Sequence, residues 1–227
     1  MRILHVSDFH FQKRWFDWLL EEAPRADLVC FTGDFLDMGS DVAMETQVEW
    51  VRSWLERFTH PLIFCSGNHD LLPNDRTSSG YVDAEWLRGI DNPNIHGDGS
   101  TITFGGVPIL SRGFMDTPPV LPETFSILLS HEGPAESDVS RDHCSDWGDY
   151  ELLEVLKQRE ARSLVLCGHV HEPIRASAQV GWSIALNTGA NMLAEIPNHH
   201  VVNLSRGSVM RFANGGYLPL ALNGIGG

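Results

Sequence analysis

Long hydrophobic runs are missing from this 227-residue sequence. Its longest apolar stretches are strand-sized, which excludes a bilayer-spanning segment and a membrane partner of that kind. The N-terminal MRILHVSDFH has no apolar core of signal-peptide length and no cleavage-like site, so a cytosolic location is the expectation. Cysteine is scarce: Cys30, Cys65, Cys144 and Cys167 are the four present, and no two form a CxxC pair. Three of them fall in apolar runs (LVCF, LIFC, LVLC) and read as reduced, buried small hydrophobes rather than as disulfide or soft-metal sites. Positive charge is scarce as well. Thirty acidic residues face 16 Lys+Arg, for a formal net charge of −14. A long polyanion is repelled by such an average field, so nucleic acid is a disfavoured partner. A substrate carrying phosphate would need a local positive centre such as a metal. There is no internal repeat and no low-complexity block.

What is present fits one ordinary domain over residues 1–227, with 42% hydrophobic and 20% charged residues. Short apolar, β-branched runs recur at 2–6, 27–31, 61–65, 125–130, 163–167, 200–204 and 208–212. Apolar residues at helical spacing predict helices over 13–23, 42–58 and 149–160, the last with Asp149 near its start. Strand alternating with helix predicts parallel pairing in the first half. From residue 95 onward strand and turn signals dominate, and Gly207 is placed in a hairpin turn. The class is therefore mixed α/β with two sheets. Irregular stretches at 71–80, 112–122 and 132–147 are long enough to suggest substrate contacts.

Five of the strand-like runs end in a residue able to bind metal. RILHV leads into Asp8-Phe9-His10, DLVCF into Gly33-Asp34, and PLIFC into Gly67-Asn68-His69-Asp70. FSILLS leads into His131, and SLVLC into Gly168-His169-Val170-His171. In an open α/β sheet ligands bind beyond the carboxyl ends of the strands, so these side chains are expected to converge. If those segments are extended, residues i and i+2 point the same way, and Asp8 with His10 would face one cation. The glycines would let the chain turn without a Cβ clash. Carboxylate, imidazole and one amide oxygen form a mixed O/N set that suits Mn, Fe or Zn, and Mg less well. Taken singly each motif is common: a lone DxH means little, and a GD after a strand is often just a turn. The weight lies in all five occurring in order. His60, His96, His143, His199 and His200 read as bystanders, and the Trp15, Trp18, Trp50, Trp54 stripe as packing.

This ordered set resembles the calcineurin-like metallophosphoesterase superfamily, whose pattern is D-x-H, G-D, G-N-H-D/E, a single His and G-H-x-H. The segment SHEGPAESD and the helix leading into GHVHEP are similar to the small stand-alone bacterial members. The resemblance implies a four-layer αββα sandwich of two mixed β-sheets flanked by helices. It also implies two divalent metal ions. The first would take Asp8, His10, Asp34 and His171, and the second Asp34, Asn68, His131 and His169, with Asp34 shared. His69 would assist the leaving oxygen after in-line attack of water on phosphorus, and Asp70 would orient His69 and favour its protonated form. One departure from the family pattern is Asn187-Thr188-Gly189-Ala190, where many members carry an N-P-G-S turn.

The implied activity is hydrolysis of a phosphodiester or phosphomonoester, with a small phosphoester as substrate and nucleotides among the candidates. Two alternatives stand beside it: a nuclease of the repair type, against which the −14 charge counts, and a non-catalytic scaffold of the same fold, against which the complete motif set counts. Arg76, Arg112 and Phe114, in the long loops, are the candidate substrate contacts.

Overall fold

The computed structural model describes residues 1–73 and 82–220. Fifteen strands appear in this span: β1 (Arg2–Val6), β2 (Leu28–Thr32), β3 (Leu62–Cys65), β4 (Leu72–Pro73), β5 (Val82–Asp83), β6 (Ile95–His96), β7 (Thr101–Phe104), β8 (Val107–Arg112), β9 (Ser126–Ser130), β10 (Ser163–Cys167), β11 (Ser177–Val180), β12 (Ser183–Asn187), β13 (His199–Asn203), β14 (Ser208–Ala213) and β15 (Gly216–Leu220). The helices are α1 (Lys13–Glu22), α2 (Met44–Arg57) and α3 (Tyr150–Gln158). One sheet has seven strands in the order β15-β14-β13-β1-β2-β3-β6, the second has six in the order β11-β12-β10-β9-β8-β7, and β4 pairs with β5. Both large sheets are mixed. β1, β2, β3 and β6 run parallel, with the antiparallel β13–β14–β15 meander on their edge. β12, β10, β9 and β8 run parallel, with β11 and β7 antiparallel on the flanks. Among the described residues no helix is long and apolar enough to cross a membrane.

The alternation of side chains along each strand makes the layers. On β1 and β2, Leu4, Val6, Val29 and Phe31 pack outward against Trp15, Phe16 and Leu19 of α1 and Val51, Trp54 and Leu55 of α2. Their neighbours Ile3, Leu28 and Cys30 point the other way. There they meet Ile127 and Leu129 of β9 and Leu164 and Leu166 of β10, so that apolar faces of the two sheets close on each other. Leu128 and Val165 pack on the far side against Leu152, Leu153 and Leu156 of α3. The result is the αββα sandwich. Both faces of the central strands are covered, which explains their continuous apolar composition. α3 begins as its sequence predicts, with the Asp149 carboxylate accepting from Leu152 N at 2.9 Å. Gly207 adopts φ +58° between β13 and β14.

One polar pair lies inside this sandwich. His5 and His200 are register partners on β1 and β13, with Nδ1 atoms 3.2 Å apart. His5 Nε2 also meets Thr32 Oγ1 at 2.9 Å. Burial, and then His199, depress His5 from its ordinary 6.5 to about 3. Burial also depresses His200, followed by His5. Both rings are thus neutral in the fold, while an unfolded chain takes up protons from pH 6.5 downward. The folded state binds fewer protons in that range, so stability is complete above pH 6.5 and is lost as pH falls toward 3. Each ring adds about 1.4 kcal/mol per pH unit to the slope. Urea midpoints between pH 7.5 and 5, in chelator, are expected to fall with pH. A His5→Gln/His200→Gln variant should show a shallower fall, and an identical slope in the two proteins would refute this source of acid sensitivity.

Candidate metal centre

The side chains at the carboxyl ends of β1, β2, β3, β9 and β10 do converge. Asp8, His10 and His171 place one ligand atom each within 4.8 Å of one another, and so do Asp8, Asp34 and His131. His10 Nε2 lies 3.0 Å from His171 Nε2 and 3.6 Å from Asp34 Oδ2. His131 Nε2 lies 3.3 Å from Asp34 Oδ2 and 3.0 Å from Asn68 Oδ1. His171 Nε2 is 3.7 Å from Asp8 Oδ1. His169 stands outside the two tight groups, its ring centroid 5.0 Å from that of His131. Asp8, His10, Asp34 and His131 are buried, whereas Asn68, His169 and His171 form a half-exposed rim.

The backbone reaches this arrangement differently from the extended geometry that the spacing suggests. Asp8 (φ +57°), His10 (φ +42°), Phe11 (φ +54°), Asp34 (φ +60°) and His169 (φ +69°) are all left-handed. The turns are held between loops. Asp8 N donates to Gly33 O, His10 N to Asp34 O, and Gly168 N to His131 O. Non-glycine residues take this conformation only where surrounding structure compels it, and they cluster at functional sites. Strand alternation does not bring the ligands together; strained turns do. Gly67 and Gly168 serve close approach rather than positive φ. A Cβ on Gly67 would sit 2.2 Å from Asp34 Oδ1, and one on Gly168 would sit 1.8 Å from Ser7 Oγ and 2.3 Å from Asp8 Oδ2.

The donor set fits divalent cations. Among the described residues, Asp8 and Asp34 are buried carboxylates paired with imidazoles alone, with no lysine or arginine. A buried charge of that kind needs a counter-charge. Burial would raise the Asp34 acid, but His131 outweighs it by charge and hydrogen bond and holds the carboxyl below its ordinary range. Burial would lower His131, but Asp34 outweighs that in turn and pushes the imidazole up to about 10. His131 Nδ1 donates to Thr32 O at 2.7 Å, which points Nε2 at Asn68 and Asp34 as a ligand nitrogen should point. The Asp8 carboxylate accepts from His169 N at 3.1 and 3.2 Å, which ties the GHVH loop to the DxH loop.

These contacts resemble the centre of a known family, and the sequence comparison decides the matter. The family model described as calcineurin-like phosphoesterase matches residues 1–173. The chain belongs to that family. As a calcineurin-like phosphoesterase it is a metal-dependent phosphoric ester hydrolase. No curated protein shows significant similarity to it. Solved structures share its fold. One is TT1561 of Thermus thermophilus, with 13% identity over 93% of this chain and 97% of that one and a TM-score of 0.61. Another is an archaeal phosphodiesterase, with 18% identity over 96% and 100% and a TM-score of 0.54. A third is the E. coli phosphoesterase Yfce, with 15% identity over 98% and 100% and a TM-score of 0.53.

Several expectations need correction. Asp70 does not orient His69. Its fully buried carboxylate accepts four backbone N–H groups: Asp34 N at 2.9 Å, Phe35 N at 2.9 Å, Leu36 N at 3.1 Å and Gly67 N at 2.8 Å. Burial, and then Asp34, push this acid up to about 8. All four partners are donors, however, so a proton on either oxygen would cost one of these bonds. We therefore take Asp70 as a carboxylate. His69 finds other neighbours. Its Nδ1 accepts from Met38 N at 3.3 Å, and a His69 nitrogen groups with His10 and Asp37 within 4.8 Å. Arg112 is not a substrate contact either. It is buried at the end of β8, where its guanidinium pairs with Asp149 and donates to Asp116 O. Phe114 does lie at the site, its ring 5.9 Å from His131 and 6.3 Å from His169. Arg76 falls outside the described residues.

The turn lacking the family proline is braced by its asparagine. Asn187 Nδ2 donates to Val139 O, Gly168 O and Val170 O at 2.8, 2.8 and 3.1 Å, and its Oδ1 accepts from Gly189 N at 2.7 Å. Asn187 thereby fixes the loop that carries His169 and His171. No sequence signal assigns it that role, because its carbonyl partners lie in two segments remote from it in the chain, at Val139 and at Gly168 and Val170.

Proposed function

We propose that this calcineurin-like phosphoesterase hydrolyses small phosphoesters, nucleotide esters among them, at a two-cation centre. The carrying observation is the pair of buried carboxylates, Asp8 and Asp34, surrounded by imidazoles and lacking any lysine or arginine counter-charge among the described residues. Asp8, His10, Asp34 and His171 would hold one ion, and Asp34, Asn68, His131 and His169 the other. Divalent ions bound there supply positive charge for the phosphoryl oxygens and acidify a water for attack on phosphorus. Mn, Fe or Zn suits the mixed set better than Mg.

The chain's own groups do the rest. Asp34 joins the two ligand sets, because its Oδ2 faces both His10 and His131. Its Oδ1 accepts from His69 N at 2.9 Å and so locks the residue bearing the acid. With Met38 N donating to His69 Nδ1, Nε2 is the nitrogen left to give a hydrogen to the departing oxygen. The His69 ring lies 4.5 Å from that of His10, at the edge of the ligand cluster. The net charge of −14 favours a small substrate over a polyanion.

The test is a screen of Mn-loaded protein on p-nitrophenyl phosphate, bis-p-nitrophenyl phosphate, 2′,3′- and 3′,5′-cyclic nucleotides and single-stranded DNA. Turnover of the small esters supports the reading, and activity confined to DNA overturns it. His69→Ala is expected to bind metal as the parent does and to lose about 100-fold or more in kcat on esters with poor leaving groups. Loss on p-nitrophenyl esters should be smaller, since they need little acid assistance. Equal turnover of an unactivated ester by variant and parent would remove His69 from the acid role.

A further inference from the structure

We propose that Trp147 is the stacking platform for the nucleobase of a nucleotide substrate, an inference that rests on the phosphoesterase reading above. A cavity of about 590 Å³ opens beside the ligand cluster, lined by His169 and His171 on one side and by Trp147, Cys144 and Asp142 on the other. The Trp147 side chain is large and apolar, yet 51% exposed. Its ring centroid is 6.2 Å from that of His169, edge-on at 86°. A group held on its face would therefore sit next to a phosphate held at the ligands.

The indole is not loose. Asp142 Oδ2 accepts its Nε1–H at 3.1 Å, while Asp142 Oδ1 accepts Cys144 N and Ser145 N at 2.7 Å each. Trp147 N donates to Ser140 O at 2.9 Å. Asp146 braces the same loop by accepting Glu136 N at 2.7 Å and Gly148 N at 3.0 Å. A loop this heavily tied, presenting half an indole to solvent beside the reaction centre, has the rigidity that low-entropy stacking needs. Packing does not account for the exposure, since burying the ring would be the favourable outcome. The ligand chemistry is constrained further by Asp142 and Glu172 on the cavity wall. They disfavour additional phosphates, so the fitting ligand is a nucleoside carrying one phosphoryl group. Phe114 does not line this cavity, although its ring lies 6.3 Å from that of His169.

Calorimetric titration of the Mn-loaded protein with AMP, ribose 5-phosphate, phenyl phosphate and inorganic phosphate tests this. AMP is expected to bind more tightly than ribose 5-phosphate. Trp147→Ala is expected to weaken AMP by about 5- to 150-fold, the range for one stacked base. Trp147→Phe should restore most of the loss even though it cannot donate to Asp142. Equal affinity for AMP and ribose 5-phosphate, or equal weakening of both by Trp147→Ala, overturns the stacking role. Phenyl phosphate binding as tightly as AMP overturns it too, and reassigns the cavity to aryl esters. Failure of inorganic phosphate to bind at all removes the phosphoester site itself, and is thereby distinguishable from failure of the platform alone.

Discussion

Asp34→Asn is expected to lower kcat/KM by about a thousandfold or more and to reduce the divalent metal bound per chain. The reason is geometric. Asp34 Oδ2 is the single oxygen that faces His10 at 3.6 Å and His131 at 3.3 Å. Asparagine keeps the size and can keep an oxygen for the bond from His69 N. It removes the charge, and it would turn either an N–H group or a weaker oxygen toward any cation bound there. Far-UV circular dichroism should match the parent, because Asp34 sits in a loop after β2 rather than in either sheet. A variant within tenfold of the parent at saturating Mn would show that the two ligand sets work independently.

The second large effect is on stability. Asp70→Ala strips the acceptor from four buried or nearly buried backbone N–H groups at once, those of residues 34, 35, 36 and 67. Each orphaned donor costs about 1–3 kcal/mol, less whatever water can restore in the space vacated. A net loss of about 3–6 kcal/mol follows, equivalent to a fall in Tm on the order of 10 °C or more for a chain of this size. The loops bearing Asp34 and Asn68 hang on this one carboxylate, so activity should fall as well, even at temperatures where the variant is folded. Thermal denaturation of the metal-free protein isolates the structural part. A Tm within about 3 °C of the parent would mean that the four bonds are replaceable by solvent.

Much of the molecule is legible in the sequence. The helices expected over 13–23, 42–58 and 149–160 form at Lys13–Glu22, Met44–Arg57 and Tyr150–Gln158. Apolar periodicity fixes them, because Trp15, Phe16 and Leu19, and later Leu152, Leu153 and Leu156, must share a buried face. Parallel pairing of β1, β2 and β3 follows from the strand–helix alternation. Less legible are β7, β8, β11 and β12, with Pro108 inside β8 and glycines in the turns between them. The glycine turns mark β7–β8 and β11–β12 as hairpins; what no local pattern announces is the parallel pairing of β8 with β9 and of β12 with β10 that sets them in the second sheet.

The site divides along the same line. Residue types at strand ends point to Asp8, His10, Asp34, Asn68, His131, His169 and His171, and the structure draws them together. The backbone route is hidden, because left-handed φ at aspartate and histidine has no reliable sequence signal. Adjacency in the chain suggests Asp70 as the partner of His69, yet in a 3₁₀ turn neighbouring side chains diverge, and the carboxylate points into the 34–36 loop. Arg112 has the sequence context of a loop cation, whereas extension of β8 by one residue past Ser111 buries it. The length of the 132–147 stretch suggests a place for substrate contacts, but nothing in its sequence singles out the tryptophan at its end.

Two cations held by one constellation are what every functional step above requires. Crystals grown with manganese, measured at a wavelength where manganese scatters anomalously, test that directly. Two anomalous peaks are expected, one against Asp8, His10 and His171 and one against Asn68, His131 and His169, with Asp34 between them. A single peak, or strong peaks that avoid Asp34, would contradict it.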